Sequence, residues 1–237
     1  MLKTLSEPGR LSCFSPPVMI ATSFIEIIAA LYVVYRYKLN PVTRLASLIL
    51  VCLAVFQMAE YNVCEGAFGI SSLDWSRVGY VAITLLPPLG IHLAYTIAGR
   101  INRVVVAAVY TFATFFSLFF LTVGHGIATS QCTGNYVIFS TAPGVSILYG
   151  FYYYSLLIVG IMISLQQASR VKSRRIASTL YWLITGYLVF MVPAIAVHFI
   201  SKTTLSAMPS IMCGFAVFLA LVLTLYVVPT YMKDAKK

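Results

Sequence analysis

"LASLILVCLAVFQMAEYNVCEG", residues 45–66, is long and apolar enough to cross a bilayer, yet it holds Gln57, Glu60 and Asn62 and ends at Glu65. A transmembrane helix needs about 20 predominantly apolar residues, and residues 45–64 supply them. The rest of the chain has the same character. Of 237 residues, 60% are hydrophobic and 9% charged, and mean hydropathy is +0.92. A soluble domain carries roughly a quarter charged residues, so this is an integral membrane protein. The alternating ten-residue segments of an outer-membrane barrel are absent. The fold class expected is all-α, a seven-transmembrane helical bundle forming one domain over 1–237.

The spans read as 17–37, 45–64, 78–99, 104–123, 144–167, 176–199 and 209–231. Net charge is +10, which invites a nucleic-acid partner until the charges are placed. Arg36, Lys38 and Arg44 follow span one; Arg100 and Arg103 follow span three. Arg170, Lys172, Arg174 and Arg175 follow span five, and Lys233, Lys236 and Lys237 end the chain. These are twelve of the sixteen Lys and Arg; Lys3, Arg10, Arg77 and Lys202 lie on the other side. The positive-inside rule then puts the N-terminus outside and the C-terminus in the cytoplasm. The charge reflects topology and attraction to anionic lipid, with no nucleic-acid partner. The N-terminal "MLKTLSEPGRLSCFSPP" is too polar for a cleavable signal, so span one is expected to stay as an anchor, with Pro17 tolerated in its first turn.

Five cysteines show no CxxC and no Cys/His cluster, so no metal site is expected. Cys52 and Cys213 fall within spans. Cys13, Cys64 and Cys132 fall on the outer side, which leaves room for one disulfide, with Cys64–Cys132 the pairing that position favours.

Two of the six acidic residues need a reason. Glu26 lies roughly 13 Å below the outer end of span one and Glu60 roughly 6 Å below that of span two. A carboxylate at mid-bilayer costs about 2.5–3.5 kcal/mol and should face other helices. Thr22, Ser23, Glu26, Ala29 and Ala30 form a small polar stripe on span one, of the kind that lets helices approach. Gln57, Glu60, Tyr61 and Cys64 share a face of span two. Span three adds Thr84, His92 and Tyr95, with Pro87–Pro88 freeing carbonyls; span six adds Thr185, Pro193 and His198. The functional expectation is an outward-opening ligand pocket lined by Glu26, Gln57, Glu60, Tyr61, Thr84 and His198. The competing expectation is that the acids are packing residues that specify the bundle. His92, roughly 21 Å from the outer end, reads as a neutral histidine bonded to a backbone carbonyl, and His125 as a solvated loop residue. Tyr149, Tyr152, Tyr153 and Tyr154 read as an interfacial belt, with at most two facing the bundle; Trp75 joins that belt.

Several identities fail on residues. A retinal protein needs a lysine in its last helix, and 209–231 has none. Converging metal ligands are missing, as are HExxH, GxSxG and paired aspartates. Neither a catalytic role nor a cofactor is expected. Internal repeats and broken helices, the pointers to a secondary transporter, are not seen.

Three stretches carry a likeness: "DWSRVGYVAITLLPPLGIHLAYTIAGR" (74–100), "GVSILYGFYYYSLLIVGIMISLQQASRVKSRRIASTLYWLITGYLVFMVP" (144–193) and "MPSIMCGFAVFLALVLTLYVV" (208–228). Together they resemble the N-terminal seven-transmembrane sensor region of bacterial and archaeal membrane histidine kinases. The landmarks are Trp75, Arg77, Pro87, Gly99–Arg100, Gly144 and Tyr152 or Tyr153. The resemblance implies an inner-membrane sensor. In that family the region feeds a cytoplasmic kinase or similar output, and here the sequence ends at Lys237, so a stand-alone version would need a partner protein. A fainter likeness, carried by Cys13–Phe14–Ser15, is to short bacterial membrane proteins and implies no function. The reading is therefore a receptor-like module that binds a small ligand and relays to a membrane or cytoplasmic signalling partner. The alternatives are an accessory subunit of a membrane complex and a solute or proton-coupled transporter.

Overall fold

The computed structural model describes residues 16–66, 69–123, 127–132, 137–141, 144–200 and 208–234. Helices α1 (Pro16–Tyr37), α2 (Pro41–Glu65), α3 (Ser72–Ala98), α4 (Arg103–Thr122), α5 (Val145–Arg170), α6 (Arg174–Ile200) and α7 (Met208–Val222) follow in order. α7 continues through a π-helical turn, Leu223–Val227, into α8 (Val228–Asp234). Among the described residues, seven helical segments are long and apolar enough to cross a membrane.

Two helices start earlier than their apolar runs suggest, and capping explains both. At α2 the Asn40 side chain accepts from the Val42 and Thr43 N–H groups, and the Thr43 hydroxyl accepts from the Asn40 N–H. This reciprocal box satisfies otherwise orphaned donors, and Pro41 fits the first helical position. At α3 the Ser71 hydroxyl accepts from the Asp74 N–H, adding a polar first turn ahead of the apolar run. Gly66 (φ 69°) and Gly99 (φ 67°) end α2 and α3 in the left-handed region, where a residue without a Cβ is favoured.

The connection between α4 and α5 departs from an all-α chain. It holds an antiparallel hairpin, β1 (Ile127–Cys132) and β2 (Val137–Thr141), with Cys132 opposite Val137 and Ile127 opposite Thr141. Both strands touch α2, and β1 also packs on α3. The π-helical turn is a second departure. Pro229 has no N–H to give the Leu225 carbonyl, and its ring crowds that carbonyl. The turn widens instead, and the Val228 N–H reaches the Leu223 carbonyl, five residues back.

α3 is the most deeply buried span and packs against α2, α4, α5 and α6, while α7 returns to α1 and α2 and closes the ring. α4 touches chiefly α3 and leaves Phe112, Phe115 and Leu118 on its outer side. Such exposure would be costly in water and is neutral in hydrocarbon.

Alternation of the helices sorts the connections to two ends. One carries the hairpin. The other gathers Arg36, Lys38, Arg44, Arg100, Arg103, Arg170, Lys172, Arg174, Arg175 and Lys233. Among the described residues the salt bridge seen, Arg77–Asp74 at 2.9 Å, is at the hairpin end. At the basic end the Asn40 side chain donates to the Met232 sulfur (3.1 Å) and Arg175 donates to the Lys233 carbonyl (2.8 Å). These bonds hold the last turn of α8 to the α1–α2 connection and to the first turn of α6.

Candidate functional site

The expected stripe on α1 is buried throughout: Thr22, Ser23, Glu26, Ala29 and Ala30 all face inward. The Ser23 hydroxyl donates across the interface to the Ala54 carbonyl of α2 (3.1 Å), so the two helices run close together. One turn further on, Glu26 is 0% exposed, and neither of its carboxyl oxygens has a hydrogen-bond partner. The charge it feels is that of Glu60 on α2, itself 1% exposed. Gln57 is buried on the same side of α2, while Tyr61 and Cys64 are only half-buried. Both acids are thus buried in the bundle, on the two helices that Ser23 ties together, with Glu60 within electrostatic reach of Glu26.

From Glu60 the polar groups continue into α3. Tyr80 lies within electrostatic reach of Glu60, and its ring packs on Tyr149 of α5 (centroids 5.5 Å apart) and Phe120 of α4 (4.6 Å). Thr84 is fully buried, donates to the Tyr80 carbonyl (2.6 Å) and shares a hydrogen bond with the Tyr149 hydroxyl (3.0 Å). Pro88 cannot donate to the Thr84 carbonyl four residues back. The Tyr152 hydroxyl does so instead, at 2.8 Å. α3 therefore stays helical across Pro87–Pro88, with a tyrosine of α5 replacing the lost bond.

This overturns the belt expectation for α5. Tyr149, Tyr152 and Tyr153 are all buried, and Tyr154, half-buried, donates to the Met212 sulfur (3.3 Å). Residues 149, 152 and 153 are spaced i, i+3, i+4 and share one face; that spacing was the available signal. Trp75 is half-buried and packs against the core. His92 also differs from expectation. Its Nδ1 pairs with the Tyr110 hydroxyl of α4 (3.3 Å), not with a carbonyl, and the rings meet edge to face.

A cavity of about 20 Å³ lies between α2, α3, α5, α6 and α7, lined among others by Leu53, Gly90, Tyr153, Tyr187 and Leu219. That is room for about one water molecule. Its walls are apolar apart from tyrosine, and the Tyr187 hydroxyl is buried there without a partner. Tyr187 fits because Gly90 has no Cβ to strike its hydroxyl, and Gly160 would put a Cβ 3.1 Å from it. Of the expected pocket residues, none of the five whose side chains are described (Glu26, Gln57, Glu60, Tyr61 and Thr84) lines this cavity. Their arrangement is instead Glu26 near Glu60, Gln57 on the same side of α2, Tyr61 at the margin and Thr84 bonded toward α5. The His198 side chain lies outside the described residues.

Cys64 is disulfide-bonded, and Cys52 is free. The side chains of Cys13, Cys132 and Cys213 lie outside the described residues, as does His125, so the favoured Cys64–Cys132 pairing falls there too. Among the described residues no three His, Cys, Asp or Glu side chains gather as a metal site. No protein-family model matches the chain, and no curated protein shows significant similarity to it.

Proposed function

We propose that this chain is a receptor-like sensor module of a bacterial or archaeal inner membrane, with its N-terminus outside and its basic end in the cytoplasm. It takes a small ligand at the α1–α2–α3 polar cluster and relays the change to a partner protein. The observation that carries the reading is Glu26. A carboxyl group held among helices with both oxygens bare is an expense that packing alone does not require, and such groups mark sites where something is bound or moved.

A ligand transmits only by binding two arrangements of the bundle unequally. α1 and α2 are joined by a turn of three residues, and that turn is held to α8 through Asn40 and Met232. A change in α1–α2 packing would therefore reach the basic connections directly.

The test is a stability screen of purified protein against small solutes, with Glu26→Gln and Glu60→Gln beside the wild type. A compound that raises the unfolding midpoint of the wild type and not of the variants supports the reading. No stabilising compound, together with a stoichiometric set of membrane partners by native mass measurement, replaces it with the accessory-subunit reading. The apolar outer face of α4, with Phe112, Phe115 and Leu118 turned outward, suits such a partner. Flux into liposomes that Glu26→Gln abolishes would identify a transporter.

A further inference from the structure

We propose that the cavity between α2, α3, α5, α6 and α7 binds a small neutral molecule, an apolar body bearing one hydroxyl or carbonyl oxygen, held by the Tyr187 hydroxyl. This second site goes beyond the acidic cluster and does not depend on it.

The Tyr187 hydroxyl is what calls for a partner. The residue is 3% exposed, and its oxygen bonds nothing. Other tyrosines of the bundle are finished by the chain itself: Tyr149 shares a bond with Thr84, Tyr152 donates to the Thr84 carbonyl and Tyr154 donates to the Met212 sulfur. A phenol both donates and accepts, and buried bare it forfeits the bonds that water would make. Phenylalanine would fill the same space without that loss. Yet two helices leave room for the oxygen. A Cβ on Gly90 of α3 would strike it, and one on Gly160 of α5 would lie 3.1 Å away. Gly90 is itself a wall of the cavity, so the oxygen sits at the cavity's edge.

The walls define the ligand. No Asp, Glu, Lys, Arg or His side chain is among them, so an ion would be buried unpaired at a high cost. The ligand is therefore neutral. A water molecule inside a protein is held by two to four polar groups, and the polar side chains in these walls are Tyr153 and Tyr187. A molecule with one oxygen needs one such bond, and its apolar remainder suits Leu53, Leu86, Leu157 and Leu183. Size sets the upper limit. The void of about 20 Å³ takes about one water molecule as it stands, and Met212 in its wall has the flexible side chain that adapts to a larger guest. A guest of about three non-hydrogen atoms reaches a dissociation constant of about a millimolar at best. Leu223 is also a wall and is the first residue of the π-helical turn, so occupancy acts where α7 changes pitch.

The experiment uses the full chain in lipid nanodiscs with its methionine methyl groups labelled with carbon-13, and Met212→Leu assigns the Met212 resonance. Ethanol and propane are the probes. They have the same number of non-hydrogen atoms, and a methyl group in propane replaces the hydroxyl. Each is titrated while its concentration in the lipid is measured, so that partition into the bilayer is removed from the comparison. The wild-type Met212 resonance should shift saturably, with ethanol favoured over propane by about fivefold or more at equal lipid concentration, the worth of one hydrogen bond. Tyr187→Phe should bring the two probes to near equality by weakening ethanol alone.

The inference is overturned if ethanol gives no saturable shift, or if wild type and Tyr187→Phe prefer ethanol to the same degree. A magnetisation transfer from water to the Met212 methyl group that ethanol does not displace also overturns it, since water then holds the site. Should Tyr187→Phe fail to fold, Ala216→Val is read in its place, because its added methyl groups fill the void. Loss of the ethanol response in that variant supports the site, and an unchanged response overturns it.

Discussion

Two polar regions share this bundle and are finished differently. On the α3–α5 side, Thr84, Tyr149 and Tyr152 bond one another and the carbonyl that Pro88 leaves free. On the α1–α2 side, Glu26 is buried as deeply and bonds nothing. Both sit among helices whose outer surfaces are apolar, so the membrane does not explain the difference. A polar group in hydrocarbon is an asset to the fold when its partners are built in. Where they are missing, something else must be supplied. The contrast assigns architecture to the tyrosines and leaves the Glu26 carboxyl as the feature on which the proposed function rests.

The largest effect that would sharpen this contrast is expected at Gly90. A Cβ there strikes the Tyr187 hydroxyl, and overpacking of this kind costs about 1–3 kcal/mol. Thermal unfolding of Gly90→Ala should show the loss, and adding Tyr187→Phe should recover part of it. Next comes Tyr152→Phe, which leaves the Thr84 carbonyl without a donor. About 1–2 kcal/mol is expected, the upper range for a polar contact between membrane helices, read as a lower midpoint with helix content unchanged. Glu26→Gln breaks no hydrogen bond, since none is made, and should cost less than about 1 kcal/mol. A larger loss there than in Tyr152→Phe would reverse the assignment of roles. Smallest is Phe112→Ala on the outer side of α4, expected within about 0.5 kcal/mol in lipid. A clear loss would mean that this face meets protein.

Much of this was legible in the residues, and the misses have physical causes. Apolar length alone located all seven spans. It could not locate their polar first turns, which Asn40 and Ser71 create by capping outside the hydrophobic run. Glu26 and Glu60 stood out because carboxylates are rare at such depth, and both are buried on neighbouring helices. The mistake over Tyr149, Tyr152 and Tyr153 came from treating consecutive tyrosines as a girdle instead of testing them for a shared face. The carbonyl freed by Pro88 was foreseeable; which hydroxyl would fill it depended on how α5 lies against α3. The hairpin announced itself weakly, through the β-branched "VIFST" at 137–141, and the π-helical turn through Pro229. Neither signal competes with hydropathy in a chain this apolar.

The π-helical turn sets the angular phase of everything beyond it. Inward positions fall at Met212, Ala216, Leu219 and Ala220 on α7, at Leu223, Thr224 and Val227 within the turn, and at Val228 just beyond it. Tyr226 stacks on Trp182 at 4.2 Å with its outer side exposed. An ordinary α-helical turn there would need one residue fewer, so tightening it to α without shortening the chain would swing the segment beyond by about 100°. Met232 and Lys233 would then leave Asn40 and Arg175. Rotation at 223–227 is thus geared to the contacts at the basic end as a key is to its tumblers: a small change of pitch beside the cavity re-indexes which side chains the last turn presents.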